Sequence, residues 1–370
     1  MKKIVLSLLL ILCLVSIASA QVLIGAKSAG MGGTGVANAD GLTSIYYNPA
    51  GLMKGKSFGL DISLAPAYTD YQKVYDAVSK STDIASFLVD NYANALAMNG
   101  DVSAQVGFNF NKIGISAIIL PLGSYAADTL AGNNTIFVSK AANSVLAQAS
   151  YSTRYDYVLT LGRTFNPAFL PASLDAGINI KSVNAVYGTF TPAAAATSAP
   201  YTSAIGNGTA FDLGLRTTLD VPALGSAAVG VAMRDISGKI NYSRKQKTYY
   251  LDDTTGTITE SAESILADAS VTLNSVTVVG IAGKIAAINL GVAADVEMAN
   301  AGSTTHLGVE LPFLANLIIA RAGTISGPSI NKMTYGAKLN LPILTVDAAG
   351  VIDSNDNNKK AWTIDFGLGF

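Results

Sequence analysis

Trp362-Thr363-Ile364-Asp365-Phe366-Gly367-Leu368-Gly369-Phe370 ends the chain, and its reading decides the fold. Large apolar side chains occupy every second position, with threonine, aspartate and glycine between them. Successive side chains of a strand point to opposite faces, so the stretch reads as a strand with one apolar face and one small or polar face. Lipid on one side and a polar lumen on the other would impose this pattern.

The same alternation recurs upstream. Phe58, Leu60, Ile62 and Leu64 oppose Gly59, Asp61 and Ser63. Leu174, Ala176, Ile178 and Ile180 oppose Asp175, Gly177, Asn179 and Lys181; Tyr335, Ala337, Leu339 and Leu341 oppose Thr334, Gly336, Lys338 and Asn340. Ile113 to Leu122 and Asn316 to Thr324 are apolar on both faces, and Val271 to Lys284 is mixed, yet all have strand composition. Short turns such as Asn111-Lys112 and 284–287 alternate with long connections near 123–143, 188–208 and 235–270. With Asn143 to Phe165 taken as one long strand, the pattern predicts an all-β, membrane-spanning antiparallel barrel of about 14 strands. The short turns, the start of the first strand and the C-terminus then share the periplasmic side, and the last strand closes against the first. Closure removes the edge that bare alternation would expose.

The N-terminus addresses export. Lys2 and Lys3 precede an apolar run from Ile4 to Ile17, and Ala18-Ser19-Ala20 supplies a small-x-small cleavage pattern, so 1–20 reads as a signal peptide. That run, about 14 residues long, is short for a spanning helix. Cys13, the only cysteine, lies inside it, so the processed chain is expected to have no disulfide and no thiolate metal site. Taking Lys2 and Lys3 from the 24 basic residues leaves 22 against 25 acidic ones, which gives no reason to expect a nucleic-acid partner. Only 13% of residues are charged, against about 25% in soluble domains. Mean hydropathy is +0.38, with no apolar run beyond the leader long enough to span as a helix. An exported, apolar chain of this kind fits an outer-membrane barrel surrounded by outer-membrane lipid.

Two segments fall outside the strand pattern. Residues 21–55 are rich in glycine, alanine and serine without alternation, and read as a compact irregular hatch preceding a barrel over 56–370. Residues 70–99 carry Val74, Val78, Ile84, Phe87, Leu88, Tyr92 and Leu96 at helix-like spacing and no glycine, which predicts a helical insertion in the first outward loop.

No catalytic signature stands out. His306 is the only histidine, Glu310 shares its face, and no serine sits in a nucleophile-elbow pattern; His306 reads as a lumen-facing hydrogen-bonding residue. Gly30-Met31-Gly32-Gly33-Thr34-Gly35 lacks the Lys-Ser/Thr of a phosphate-binding loop and no strand–helix unit surrounds it. Neither a metal nor a cofactor is expected. The inferred inner face carries Asp61, Asp101, Asp156, Asp175, Asp212, Asp295, Glu297, Glu310, Asp347 and Asp365 together with Lys181, Arg216, Arg234 and Lys338. Charges inside need partners or water, and the mixed signs point to ion pairs within a plugged lumen rather than a single-sign selectivity ring.

Gly25 to Asp40, containing the Gly-Met-Gly-Gly run, followed by Ile45-Tyr46-Tyr47-Asn48-Pro49-Ala50-Gly51-Leu52, resembles the N-terminal signature of the FadL-like outer-membrane superfamily. Its PorV/PorQ-type and conjugative-transfer TraF-like branches are the nearer ones. His306-Leu307-Gly308-Val309-Glu310, Arg321-Ala322-Gly323 and the terminal Phe370 are similar to the same group. The resemblance implies a 14-stranded barrel with the N-terminal segment folded into the lumen. It places Asn48, Pro49, Ala50, Gly51 and Leu52 in that hatch, as gating candidates or as a turn that anchors the plug. In the FadL branch, substrate leaves sideways where the third strand kinks inward; the corresponding strand here is Ile113 to Leu122, with Pro121 as the lateral-opening candidate. The expected function is passive passage of hydrophobic small molecules of the long-chain fatty acid or hydrocarbon type, without enzymatic activity. The alternative is a PorV-like scaffold that binds secretion-machinery proteins through its long outward loops.

Overall fold

The computed structural model describes residues 23–55, 58–69, 96–121, 135–138, 147–168, 172–190, 198–221, 225–252, 255, 257–299, 302–328, 330–354 and 360–369. The signal-peptide reading of 1–20 and the helical reading of 70–95 lie outside these residues. Leu96 to Asn99, which the helical spacing included, is strand instead: it begins the second strand and pairs on to residues 135–138.

The chain first forms β1 (Phe58–Thr69), β2 (Leu96–Phe110), β3 (Ile113–Pro121), β4 (Thr135–Val138), β5 (Ala147–Phe165) and β6 (Leu174–Phe190). There follow β7 (Ser198–Val221), β8 (Gly225–Leu251), β9 (Ile258–Glu260), β10 (Ser264–Thr272) and β11 (Val276–Ile285). The last are β12 (Leu290–Ala299), β13 (Gly302–Phe313), β14 (Ile318–Gly327), β15 (Ile330–Asn340), β16 (Leu344–Asp353) and β17 (Lys360–Gly369). All pair antiparallel in one sheet. Fourteen strands form the wall of a closed barrel; β4 fills the third strand's place beyond β3, and β9 and β10 extend the sheet along β8. The barrel closes between β17 and β1, with Leu60 opposite Leu368, Ile62 opposite Phe366 and Leu64 opposite Ile364.

The sequence period sets the faces. Ile62, Leu213, Trp362, Ile364, Phe366 and Leu368 lie on the outside, each between 42% and 50% exposed, while Ser63, Asp212, Thr363 and Asp365 between them are buried inside. Among the described residues nothing covers this outer apolar face, a role that lipid fills.

Two long loops expected at 188–208 and 235–270 are largely strand. β6 runs on to Phe190, β7 starts at Ser198, and β8 continues to Leu251 before β9 and β10 return beside it. At this end of the sheet both faces can be polar, so alternation fades although the ladder continues. A register shift opposite Thr209 to Leu213 accompanies positive φ at Asp235 (56°) and Ser237 (53°). This bulge turns Asp235 inward beside Arg234, which strict alternation forbids.

Candidate functional site: the hatch and the interrupted wall

Residues 23–55 fill the lumen as a chain of short turns. They comprise α1 (Ala26–Gly30), a 3₁₀ turn at Gly41–Thr43, α2 (Ser44–Tyr47) and a 3₁₀ turn at Pro49–Lys54. Gly32 and Gly33 adopt φ of 68° and 79°, a region that glycine enters without strain and that ends α1 sharply. Asn48 caps the Pro49 turn: its Oδ1 accepts from Ala50 N–H at 3.1 Å, and proline follows at the first helical position, where no N–H is needed. The same side chain donates from Nδ2 to the Val36 carbonyl at 2.8 Å and to the Leu215 carbonyl of β7 at 3.1 Å. Asn48 therefore ties its own turn, the glycine-rich run and the wall together. The wall makes room with glycine. A Cβ on Gly177 would run into the Pro49 carbonyl carbon, and one on Gly214 into Asn48 Oδ1. Asn48, Pro49, Ala50, Gly51 and Leu52 are all buried.

Side chains from most of the barrel's circumference hold the hatch backbone. Gly25 N–H donates to Ser63 of β1, and Ala26 N–H to Asp365 of β17. Gly32 N–H donates to Thr334 Oγ1 at 2.8 Å, and that hydroxyl donates to the Gly30 carbonyl at 3.1 Å. Gly35 and Val36 N–H both donate to Asp295 Oδ2, at 2.7 and 3.0 Å. Gln105 Nε2 reaches the Leu42 carbonyl, Asn179 Nδ2 the Ile45 carbonyl and Arg216 Nη1 the Ala39 carbonyl. His306 Nδ1 lies 2.7 Å from the Gly32 carbonyl, so the ring donates, in the hydrogen-bonding role expected of it. Hatch backbone groups buried away from water thus find partners in the wall. Burial, then the neighbouring Tyr46, push the Tyr47 phenol well above its ordinary range, so it stays neutral. At Asp40, whose side chain is 56% exposed, the partial desolvation that raises the carboxyl is outweighed by Lys27, Lys338 and Arg216, which hold it below the usual range.

Buried charges pair within the lumen. Arg154 is fully buried and binds both oxygens of Asp156 and both of Asp235, at 2.6 to 2.8 Å. Lys181 contacts Asp212 at 2.7 Å and Asp235 at 3.0 Å. Asn179 donates to Asp212 Oδ2 and to Ile45, so this cluster reaches the hatch. Elsewhere in the lumen, Arg321 binds Asp347 at 2.6 Å and Glu310 at 3.3 Å, and Arg234 binds Glu297 at 2.6 Å while stacking over Tyr46. Both signs meet at each cluster, as the sequence anticipated. Arg154, Asp235 and Arg321 were not anticipated. Asp235 is hidden by the bulge, and Arg321 by a strand that reads as apolar on both faces. Arg154 shares the inward parity of Asp156, so that parity was the signal that could have found it.

Among the described residues the third strand falls in two pieces, β3 and β4. β3 pairs with β2 as far as Ile119 opposite Ala104, and with β5 as far as Pro121 opposite Thr153. β4 resumes both ladders at Thr135, opposite Asn99 of β2 and Ser150 of β5. Among the described residues, Gly100 to Ser103 of β2 and Tyr151-Ser152 of β5 have no ladder partner on this side. Pro121 marks the lower margin of that stretch and lies apart from Asn48 to Leu52 in the wall pairing. Just below it, Ile118 and Leu120 of β3 and Val158 of β5 pack in one apolar cluster with Ile24, Leu42, Ile45, Tyr46 and Tyr47 of the hatch.

No protein-family model and no curated sequence matches the chain. Solved structures do match it. The toluene transporter TbuX of Ralstonia pickettii aligns with a TM-score of 0.62 at 13% identity, covering 95% of this chain and 100% of that one. The monoaromatic hydrocarbon channel CymD gives 0.59 at 14% identity over 95% and 99%. A Pseudomonas aeruginosa FadL homologue gives 0.53 at 11% over 94% and 98%. At these identities the likeness establishes a shared fold: the chain is a FadL-like barrel in architecture.

Proposed function

We propose that this chain, a FadL-like barrel with a fastened hatch in its lumen, sits in an outer membrane and passes hydrophobic small molecules of the hydrocarbon or long-chain fatty acid type. The observation that carries the reading is the apolar cluster shared by wall and hatch, set directly below the stretch where, among the described residues, β2 and β5 have no ladder partner between β3 and β4. An apolar solute captured at the long-connection end would settle onto the apolar floor of Ile118, Leu120 and Val158 and leave sideways above it, between β2 and β5. Each buried CH₂ favours the lipid side by about 0.8 kcal/mol, so escape into the bilayer needs no energy source. Asn48 to Leu52 act here as the anchored part of the gate and Pro121 as the margin of the lateral opening.

The test staples the opening. Ser103 and Leu120 would be the next pair after Ala104 and Ile119 in the β2–β3 register. A Ser103→Cys, Leu120→Cys variant, oxidised, is expected to lower toluene and oleate uptake in whole cells to the level of cells lacking the barrel. Reductant should restore it. Full uptake by the quantitatively oxidised variant would overturn the lateral route.

A second reading, a scaffold for secretion or envelope-assembly proteins, is favoured by the length of β7 and β8, at 24 and 27 residues. A stoichiometric protein partner co-purified from native membranes would support it; co-purified lipid or hydrocarbon alone would support transport.

A further inference from the structure

β8 outruns the wall. Its first part, Ala227 to Arg234, pairs with β11, and β11 continues the barrel through β12. Beyond Ile236, β8 has only β10 and β9 on that side: Lys239 pairs with Thr272, Lys245 with Ile265 and Tyr249 with Glu260. β12 ends at Ala299 and β13 begins at Gly302, so this pair does not follow, and its last β11 contact is Met298 opposite Thr277. Among the described residues, the far edge of β10 therefore pairs with nothing. Nine residues of strand, about 30 Å, present their outward N–H and C=O groups there. Natural edges are blunted by lysine, proline, a bulge or a covering segment; β10 carries neither lysine nor proline, Ile265 on it is 85% exposed, and its bulge between Leu266 and Ala269 leaves Ser264 to Leu266 and Ala269 to Thr272 in regular pairing.

Charge says what kind of strand fits. From Asp252 to Gly283 the returning limb has Asp252, Asp253, Glu260, Glu263 and Asp268 and no basic residue. The strand already paired to it is basic, with Lys239, Arg244, Lys245 and Lys247, and Lys245 meets Glu263 at 2.7 Å and Lys247 meets Glu260 at 3.0 Å. A second copy is a poor occupant. Two barrels inserted the same way in one membrane are related by an axis along their strands, which sets the two edges parallel and level. In a parallel ladder each residue bonds to the neighbours of its opposite number, and two equivalent edges turning the same groups toward each other cannot do that.

We propose that the free edge of β10 docks an extended, basic segment of another protein by strand addition, with main-chain bonds supplying the register and Asp268, the acid on β10 itself, selecting positive charge. This goes beyond the transport reading and is independent of it. The probe is a labelled peptide with the sequence Lys239 to Lys247, the strand β10 already accepts on its other edge, offered to the full-length barrel in detergent. Saturable binding is expected by fluorescence anisotropy, with slowed amide hydrogen exchange confined to 264–272. The same peptide with alternate amides N-methylated keeps its charge and loses ladder donors; it should bind at least tenfold more weakly. Asp268→Lys, an exposed site, should weaken the unmodified peptide tenfold. Equal binding of the N-methylated peptide, unchanged exchange over 264–272, or undiminished binding to Asp268→Lys would each overturn the proposal.

Discussion

Asp295 holds two consecutive hatch amides, Gly35 and Val36, from one oxygen. Asp295→Ala leaves both donors buried without an acceptor, at about 1 to 3 kcal/mol each. Thermal unfolding of the variant should therefore fall by several degrees, and planar-bilayer recordings should show more frequent open events than wild type. The wall glycines give a sharper contrast. Gly177→Ala forces a methyl against the Pro49 carbonyl and is expected to destabilise by about 1 to 3 kcal/mol. Gly283→Ala, whose added carbon would meet only the Ser226 carbonyl at 3.4 Å, should stay within about 0.5 kcal/mol. Urea midpoints of the two variants side by side decide this; equal losses would mean the hatch does not press on Gly177. Asp40 gives a pH signature. Its carboxyl is held below its unfolded value, so its contribution is complete above about pH 4 and is lost as pH falls through the lowered range. Asp40→Asn should flatten the acid limb of the stability profile and leave the neutral region almost unchanged.

Among elements, the contrast lies between charge pairs inside and outside the barrel. Arg154→Met strands Asp156 and Asp235 in the lumen and should cost about 3 to 5 kcal/mol. Lys247→Ala breaks an exposed pair with Glu260 and should cost under about 1 kcal/mol. Chemical denaturation of both measures the difference. The same division explains what the sequence revealed. Where a strand crosses lipid, the outer face must be apolar, and Phe58 to Leu64, Leu174 to Ile180 and Trp362 to Leu368 announce themselves by period alone. Above that belt neither face is so constrained, and the outward halves of β7, β8 and β10 read as loop. Arg321 sits among residues apolar on both faces, and Asp235 owes its inward position to a bulge that no alternation count contains. Residues 23–55 stand out as a composition change because close approach to the wall demands small residues. Their partners are less visible: Ser63, Gln105, Asn179 and Thr334 are ordinary polar residues at inward positions, and only their geometry picks them out.

For the whole molecule, the lumen is occupied by the chain's own N-terminal segment, and hydrogen bonds to β1, β2, β6, β7, β12, β13, β15 and β17 keep it there. Deleting residues 21–52 should turn a barrel with brief openings into one with steady ion conductance; a silent deletion variant would show that something besides the hatch blocks the bore. The fastening also dictates an order of events. The hatch is made first by the ribosome, yet its anchors Asp295, His306, Thr334 and Asp365 come 259 to 339 residues later. Gly25 and Ala26 are held by Ser63 and Asp365, one from each of the two strands that meet at the seam. The fastening therefore cannot be complete until the last strands are made and the seam has joined. A barrel whose seam closed before its first segment seated would hold an open, water-filled bore, and a cell that seated it slowly would leak.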